Sequence, residues 1–411
     1  MSTLPDPHSL PIEQIDVSNP CLYRDDLWRP YFERLRREAP LHYCASSAFG
    51  PYWSVTGYED IAKVDMNHAD FSSEPTIIIG DIDGQMPLEM FIAMDPPRHD
   101  VQRAAVQHVV APANLSEMES LIRQRVCSIL DGLPVGETFD LVDRVSIELT
   151  TQMLATLFGF PFEERRKLTR WSDVAVGTPE MAGAQLVTAE ARRVELMECL
   201  ATFTRLWHER LGQPRGFDLI SLLQHGEGTS DMVERPAEFL GNILLLIVGG
   251  NDTTRNSISG GVLALNTYPE EYEKLRGNPG LIPNMVSEII RWQTPLAHMR
   301  RRATRDIEMH GQTIKAGDKV VMWYLSANRD ASKIKDPERL IIDRPNARQH
   351  LSFGFGLHRC MGNRLAEMQL RIFWEEAMTR FRQIEVVGEP VRCLSNFVHG
   401  YEHLPVRVHP W

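Results

Sequence analysis

The chain has 411 residues, 43% of them hydrophobic and 24% charged, which is the composition of a globular protein with a sizeable core. Its formal net charge of −11 argues against a nucleic-acid-binding protein, because neutralising phosphates requires an excess of Lys and Arg. The six cysteines are scattered and no two form a C-x-x-C pair, so the pattern favours neither a zinc ribbon nor a disulfide framework.

The segment at the N-terminus is polar and contains prolines, without the basic and apolar regions of a signal peptide. The longest wholly aliphatic run, Ile243–Val248, is far shorter than the ~20 residues that a membrane span requires. We therefore expect a cytoplasmic protein without a membrane span.

Helical periodicity dominates the chain. Long amphipathic helices are predicted over Ser116–Leu133, Leu141–Phe158, Ala189–Leu211, Glu238–Asn266, Leu281–Trp292 and Arg364–Phe381. Short strands are predicted over Leu41–Tyr43, Tyr52–Val55, Ala303–Met309, Thr313–Ile314, Val320–Tyr324 and Leu404–Val408. The sequence thus predicts one mainly helical domain over residues 1–411 with small β-sheets (α+β), in which residues 1–15 form a flexible N-terminal arm.

A loop with several prolines precedes a predicted helix. Pro75–Pro97 is the best candidate for a mobile loop over a site. Asp95 and Pro96 have the residue types of a helix N-cap and first turn, which would place His99 and Arg103 on one helix face. The alternative is a solvated, charged first turn.

The aliphatic run Ile243–Val248 is followed by Gly249 and Gly250 inside a predicted helix. Each mid-helix glycine costs about 1 kcal/mol relative to alanine, so a compensating role is expected. The alternative is a helix that stops at the glycines, with Asp252 or Thr253 capping a new one.

The most distinctive segment is a glycine-rich loop, Phe353–Gly362, that contains Cys360 just ahead of a predicted helix. Its glycines allow a positive φ and a close approach to a bulky group. The helix N-terminus favours a thiolate over a thiol, which suits a soft axial ligand to iron. For a lone cysteine, the alternative is a buried structural residue beside a flexible turn.

Residues 353–362 match the F-G-x-G-x-H-x-C-x-G haem signature at every specified position, and the chain therefore resembles the cytochrome P450 enzymes. The resemblance implies their triangular helical prism, with haem b between the long central helix and the cysteine loop. It also implies Cys360 as the iron ligand, with Phe353 and Gly249 beside the haem. Asp252 and Thr253 fall on the acid–alcohol pair that delivers protons to dioxygen.

Further positions follow from the same resemblance. His99, Arg103, Arg301 and His358 would bind the haem propionates. Glu288 and Arg291, by themselves typical of a surface pair, would form the buried E-x-x-R motif, whose third partner is either Arg344 or Arg339.

Segments 90–115, 145–173, 244–266 and 282–301 closely resemble the bacterial alkane ω-hydroxylases within that family. This implies O2-dependent hydroxylation of the terminal methyl of medium-chain alkanes, fatty acids or alcohols. It also implies electrons from NADH through a ferredoxin reductase and a ferredoxin. Arg359, Arg364 and Arg371 are candidates for a basic ferredoxin-docking face, the alternative being an ordinary solvated helix face.

An apolar tunnel would suit an alkyl chain. Its candidate wall residues are Ile77, Ile78, Ile79, Leu245, Val248, Leu296, Ala297, Phe397 and Val398. For each of them plain core packing is the alternative. The rival functions are subterminal hydroxylation of another hydrophobic substrate, a peroxide-driven haem-thiolate enzyme, a non-catalytic haem-thiolate sensor and a haem-free thiol enzyme.

Overall fold

The computed structural model of the chain describes residues 4–81, 88–177 and 188–411. Within them, the helices are α1 (Cys21–Arg24), α2 (Trp28–Glu38), α3 (Tyr58–Met66), α4 (Arg98–Gln107), α5 (Pro112–Asp131), α6 (Glu148–Phe158), α7 (Arg166–Val176), α8 (Ala189–Glu209), α9 (Leu219–His225), α10 (Pro236–Thr267), α11 (Pro269–Gly277), α12 (Ile282–Gln293), α13 (Tyr324–Ala327) and α14 (Asn363–Arg380). The strands are β1 (Leu41–Cys44), β2 (Tyr52–Val55), β3 (Phe71–Ser72), β4 (Thr138–Asp140), β5 (Met299–Ala303), β6 (Ile307–Met309), β7 (Gln312–Ile314), β8 (Lys319–Met322), β9 (Phe381–Val386), β10 (Val391–Arg392), β11 (Tyr401–His403) and β12 (Pro405–Pro410).

The predicted class, mainly α with small sheets, is confirmed. The largest sheet has the order β1-β2-β8-β5-β3, in which only β2 and β8 are parallel. A second sheet has the order β4-β12-β9. The predicted strand Ala303–Met309 is in fact two strands, because Thr304 leaves the sheet and donates its N–H to the carbonyl of Asp70.

The long helix α10 lies at the centre of the core, where it packs against α6, α7, α12 and α14. It is apolar on most of its sides, as expected for a helix that is surrounded by other elements. It continues without interruption through Gly249 and Gly250, so the alternative of a helix break at these residues is wrong. Among the described residues, no helix has both the length and the apolar character needed to cross a bilayer.

Residues 4–15, expected as an arm, contact the body of the protein instead. Arg34 of α2 donates to the carbonyl of Leu10 at 2.7 Å, and Ile15 is completely buried beside Trp28 and Phe32. The segment therefore adds to the core formed by α2 and β2.

Helix α4 begins at Arg98, two residues later than predicted, and its N-cap is Pro97. The carboxylate of Asp95 does not cap the helix, because it accepts hydrogen bonds from Ser72 and from the backbone N–H of Ser73. Its backbone carbonyl accepts from the N–H of His99 at 3.1 Å. His99 is consequently fixed at the start of α4.

Glu288 on α12 is the centre of a buried charge cluster. Its carboxylate accepts from Arg291 at 2.7 and 2.8 Å and from the Nε of Arg344 at 3.0 Å. Arg344 is therefore the third partner, whereas the side chain of Arg339 pairs with the exposed Glu270. All three members of the cluster are buried.

Hydrogen bonds connect this cluster to the beginning of the cysteine loop. Arg291 donates to the carbonyl of Asn328 at 2.8 Å. The side chain of Asn328 in turn donates to the hydroxyl of Ser352 and accepts from the N–H of Leu351, both at 2.8 Å. The charge cluster thereby fixes the residues that precede Phe353.

We expect Glu288→Ala to lower the free energy of unfolding by about 3–5 kcal/mol, because it leaves two buried guanidinium groups without their carboxylate. Urea unfolding of the purified holoprotein measures the change. The control is Glu270→Ala, which removes an exposed ion pair with Arg339 and should cost at most about 1 kcal/mol. Equal losses in the two variants would contradict the assigned role of Glu288.

Candidate active site

A cavity lies between α10 and the cysteine loop. About 1530 Å³ there is free of protein atoms, the open mouth included. The side of α10 contributes Leu245, Leu246, Gly249, Gly250, Thr253, Thr254 and Ser257. The opposite side contributes Phe353, Gly354, His358, Cys360, Met361, Gly362, Leu365 and Ala366.

Two glycines with a positive φ shape the cysteine loop. Gly354 and Gly356 both have φ of 68°, and a Cβ at Gly356 would lie 2.8 Å from the carbonyl oxygen of Asp65. The N–H of Cys360 donates to the carbonyl of Phe353 at 2.8 Å. These constraints turn Cys360 toward the cavity, to which its side chain is exposed.

The surroundings of the Cys360 thiol act on its pKa in opposite directions. Enclosure by the protein raises the pKa, while the N–H groups of Gly362 and Asn363 at the start of α14 and the guanidiniums of Arg103 and Arg359 lower it. The groups at the helix N-terminus therefore favour the thiolate, as expected, against the effect of burial. A bound metal cation would displace the proton, as it does for coordinating thiols in general.

Two imidazoles meet at the edge of the cavity. The rings of His99 and His358 are 4.4 Å apart, and burial lowers the pKa of both. Within the described residues, His99 Nε2 and His358 Nδ1 are buried without a hydrogen-bond partner. The other ring nitrogens contact Asp100 and Ser73, each at 2.8 Å. Both nitrogens are therefore available to a polar group that binds at this edge of the cavity.

Arg103 and Arg301 line the cavity near these imidazoles. Arg103 donates to the backbone carbonyl of Arg359. Arg301 is buried and donates to Asp65 at 2.6 Å, a contact that no sequence motif predicted. Together with the imidazoles, the two guanidiniums can bind the carboxylates of an anionic ligand.

Gly249 and Thr253 stand on the cavity face of α10. A Cβ at Gly249 would meet no other atom within 4 Å and would extend into the cavity, whereas one at Gly250 would lie 2.7 Å from Leu154. The hydroxyl of Thr253 donates to the carbonyl of Gly249 at 2.9 Å. The alcohol is thus held at the surface of the cavity.

Asp252 faces away from the cavity, toward α7. Its carboxylate lies 2.6 Å from Arg255 and accepts from the hydroxyl of Ser172 at 2.6 Å. Arg255 also contacts Asp173, whose side chain is 51% exposed. No hydrogen bond joins the Asp252 side chain to that of Thr253 among the described residues, since successive helix residues point about 100° apart.

The predicted wall needs correction. Leu245 and Leu296 line the cavity, but Val248 does not, because it lies on the face of α10 shared with Asp252. Ile77, Phe397 and Val398 pack one layer further out, behind the lining residues Ile92, Leu296 and Met299.

The remaining predicted wall residues do not line the cavity. Ile78 is exposed at a bend between the buried Ile77 and Ile79. Ile79 and Ala297 belong to a separate core around Trp323. Part of the predicted mobile loop, residues 82–87, lies outside the described residues. The wall residues that the sequence did not single out include Phe91, Ile92, Met153, Leu154, Leu157 and Met299.

Comparison with known proteins decides the family. Residues 280–396 match the model of the family described as cytochrome P450. The chain is 35% identical to linalool 8-monooxygenase of Pseudomonas putida, and the alignment covers 97% of this chain and 100% of that protein. This chain belongs to the cytochrome P450 family. It is also 33% identical to a methyl-branched lipid omega-hydroxylase of Mycobacterium tuberculosis, over 97% of this chain and 96% of that one.

The solved structures of other cytochromes P450 have the same fold. Cytochrome P450-153 from Novosphingobium aromaticivorans is 47% identical and superposes with a TM-score of 0.89, covering 96% of this chain and 99% of that chain. The protein is therefore a cytochrome P450 monooxygenase, and haem b is the cofactor of this family. The cavity fits that group, because it combines an exposed thiol, apolar walls and, at its edge, two guanidiniums and imidazole nitrogens without a partner among the described residues.

We expect Gly249→Ala to obstruct the cavity without destabilising the fold. The new methyl group meets no protein atom, and alanine favours a helix by about 1 kcal/mol over glycine. Affinity for an apolar probe such as octane, followed by the change in haem absorbance, should fall by about tenfold, or about 1.4 kcal/mol. Gly277→Ala, in a helix away from the cavity, is the control, and an unchanged affinity in Gly249→Ala would contradict the account.

Proposed function

We propose that this chain hydroxylates the terminal methyl group of medium-chain alkyl substrates, such as n-alkanes, fatty acids and alcohols, and releases primary alcohols. The observation that carries the proposal is the apolar cavity that separates the Cys360 thiol from the Thr253 hydroxyl. Its α10 side offers aliphatic side chains and few polar groups, so shape rather than hydrogen bonding orients a substrate there.

In this proposal Cys360 would ligate the haem iron, and His99, Arg103, Arg301 and His358 would hold the propionates. Phe353 and Gly249 line the cavity on its two sides and leave room for the flat cofactor. His358 can donate from Nδ1, because Ser73 can satisfy its Nε2. The approach of a propionate would favour protonation of His99, whose Nδ1 already contacts Asp100.

When bound, the thiolate-ligated haem supplies the centre at which dioxygen is reduced and one oxygen atom is inserted into a C–H bond. Thr253 presents its hydroxyl to that centre from α10 and serves as the proton donor within the cavity. Asp252 returns a proton to the Thr253 hydroxyl. To do so, the Asp252 side chain gives up its contact with Arg255 or Ser172 and forms one with that hydroxyl. Arg255 and the half-exposed Asp173 connect Asp252 to the solvent.

The similar enzymes support an alkyl substrate. One is named for linalool and its position 8, another for the ω position of methyl-branched lipids. Both names denote hydrophobic chains hydroxylated at a defined carbon. Terminal attack requires a cavity narrow enough to admit only the chain end, and Leu245, Leu246, Leu154 and Leu157 supply bulky aliphatic side chains to its lining.

For its electrons we propose an NADH-dependent ferredoxin reductase and an acidic ferredoxin that docks beside the cysteine loop. Arg359 and Arg364 are exposed there, and no described carboxylate forms an ion pair with either. Arg371 is less suitable than expected, because Glu119 and Glu375 each contact it at 2.8 Å. Uncompensated charges on this face would steer an acidic partner, most strongly at low salt.

Product analysis tests the proposed substrate class. With a surrogate ferredoxin, its reductase and NADH, we expect octane and dodecanoic acid to give mainly the terminal alcohol, located by mass spectrometry. Leu245→Ala should raise the subterminal share by widening the cavity, whereas Leu263→Ala on the same helix, outside the cavity wall, should not. Mainly subterminal products from the unmodified chain would refute the ω-selectivity.

Thr253→Ala tests the proton relay. NADH consumption should continue while the alcohol formed per NADH falls by at least about tenfold, since a positioned proton donor contributes about 10²–10⁴-fold. Thr267→Ala is a matched control, because Thr267 makes the same type of hydrogen bond to a carbonyl four residues earlier on α10, away from the cavity. Unchanged coupling in Thr253→Ala would exclude the relay through this hydroxyl.

A further inference from the structure

Asp65, at the end of α3, is a buried carboxylate that none of the motifs includes. It is only 2% exposed. Its Oδ1 accepts from Arg301 at 2.6 Å, and its Oδ2 accepts from the hydroxyl of Tyr324 at 2.7 Å and from the N–H of Phe355 at 2.8 Å. Three donors of this kind stabilise a charged carboxylate in a protein interior.

The three donors come from different elements around the same cavity. Arg301 lies on β5 and Tyr324 begins α13, and both side chains line the cavity that contains Cys360. Phe355 belongs to the cysteine loop itself. The carboxylate therefore lies one side chain behind the cavity wall and is bonded directly to the loop that presents Cys360.

Close packing keeps Asp65 in this place. A Cβ at Gly354 would lie 3.4 Å from its Oδ2, and one at Gly356 would lie 2.8 Å from its backbone oxygen. Both glycines have the positive φ that permits this approach. The backbone of the loop consequently lies in direct contact with Asp65.

The ion pair also changes the charge around the cavity. Arg301 is already compensated by Asp65, whereas no described carboxylate forms an ion pair with Arg103. A bound dianion thus meets less net positive charge in the cavity than Arg103 and Arg301 would provide if both were unpaired. Because the pair is buried, solvent and salt screen its field only weakly.

We propose that Asp65 is a positioning residue that fixes Arg301 and the cysteine loop and lowers the reduction potential of the bound haem. Reduction of the ferric haem adds one electron, supplied in the experiment by a reducing mediator, and breaks no bond. A permanent negative charge nearby opposes that addition. The inference depends on the haem of the family, but not on the alkyl substrate proposed above.

The test is the midpoint potential of the substrate-free holoprotein, measured by spectroelectrochemical titration. Asp65→Asn removes the charge and should shift the potential to a more positive value. Tyr324→Phe removes one donor but keeps the charge, so the carboxylate is less neutralised and the potential should become more negative. Asp70→Asn, which breaks the more exposed ion pair with Arg305, should leave it unchanged.

Opposite signs for Asp65→Asn and Tyr324→Phe are the decisive result, because a general loosening of the loop would move both variants in the same direction. Equal potentials, or shifts of the same sign, would overturn the proposal. If Asp65→Asn does not retain haem, Tyr324→Phe decides alone, and a positive or absent shift would overturn it. The potentials need no substrate, so a failure here is distinguishable from a failure of the proposed ω-hydroxylation.

Discussion

The architecture of the site depends on one buried interaction, the carboxylate of Glu288 between the guanidiniums of Arg291 and Arg344. Breaking such a cluster is costly because it leaves a charge in a place that water does not reach. From Arg291 the hydrogen bonds continue through Asn328 to Ser352, where the cysteine loop begins. The loop has little regular secondary structure, so side chains of neighbouring elements determine its position. Asp65 holds the same loop from the opposite side, at Phe355.

The two sides of the cavity differ in chemical character, and each suits a different part of a monooxygenase reaction. The side of the cysteine loop contains the thiol, the imidazoles and the guanidiniums, which can hold a metal centre and the carboxylates of its cofactor. The side of α10 is mainly aliphatic, with the glycines and the hydroxyl side chains of Thr253, Thr254 and Ser257 as its other contributions. A substrate without polar groups would therefore be oriented by shape on one side, while charge is confined to the other. The acid Asp252 is kept out of the apolar space by α7.

Local patterns predicted the parts of the site that lie within one element. The cysteine loop, the helical pattern of α10 and the spacing of Glu288 and Arg291 involve residues close in sequence, so they could be recognised locally. The role of Cys360 and the burial of the Glu288–Arg291 pair followed from the family resemblance, because spacing alone did not distinguish them from ordinary alternatives. Arg344 and Arg339 both lie in a long irregular segment, so the structure was needed to decide which of them contacts Glu288. The direction of Asp252 was missed because adjacent helix residues face different neighbours. Asp65 belongs to no sequence motif, because its partners lie on β5, on α13 and in the cysteine loop, all far from it in the chain.

The most direct test of the account is whether Cys360 ligates the iron. Cys360→Ser and, as a control, Cys21→Ser would be purified with haem, reduced and exposed to carbon monoxide, and their difference spectra recorded. The account predicts that Cys360→Ser loses the band characteristic of thiolate-ligated haem, while Cys21→Ser keeps it. Retention of that band in Cys360→Ser would contradict the assignment of the cavity as a haem-thiolate site.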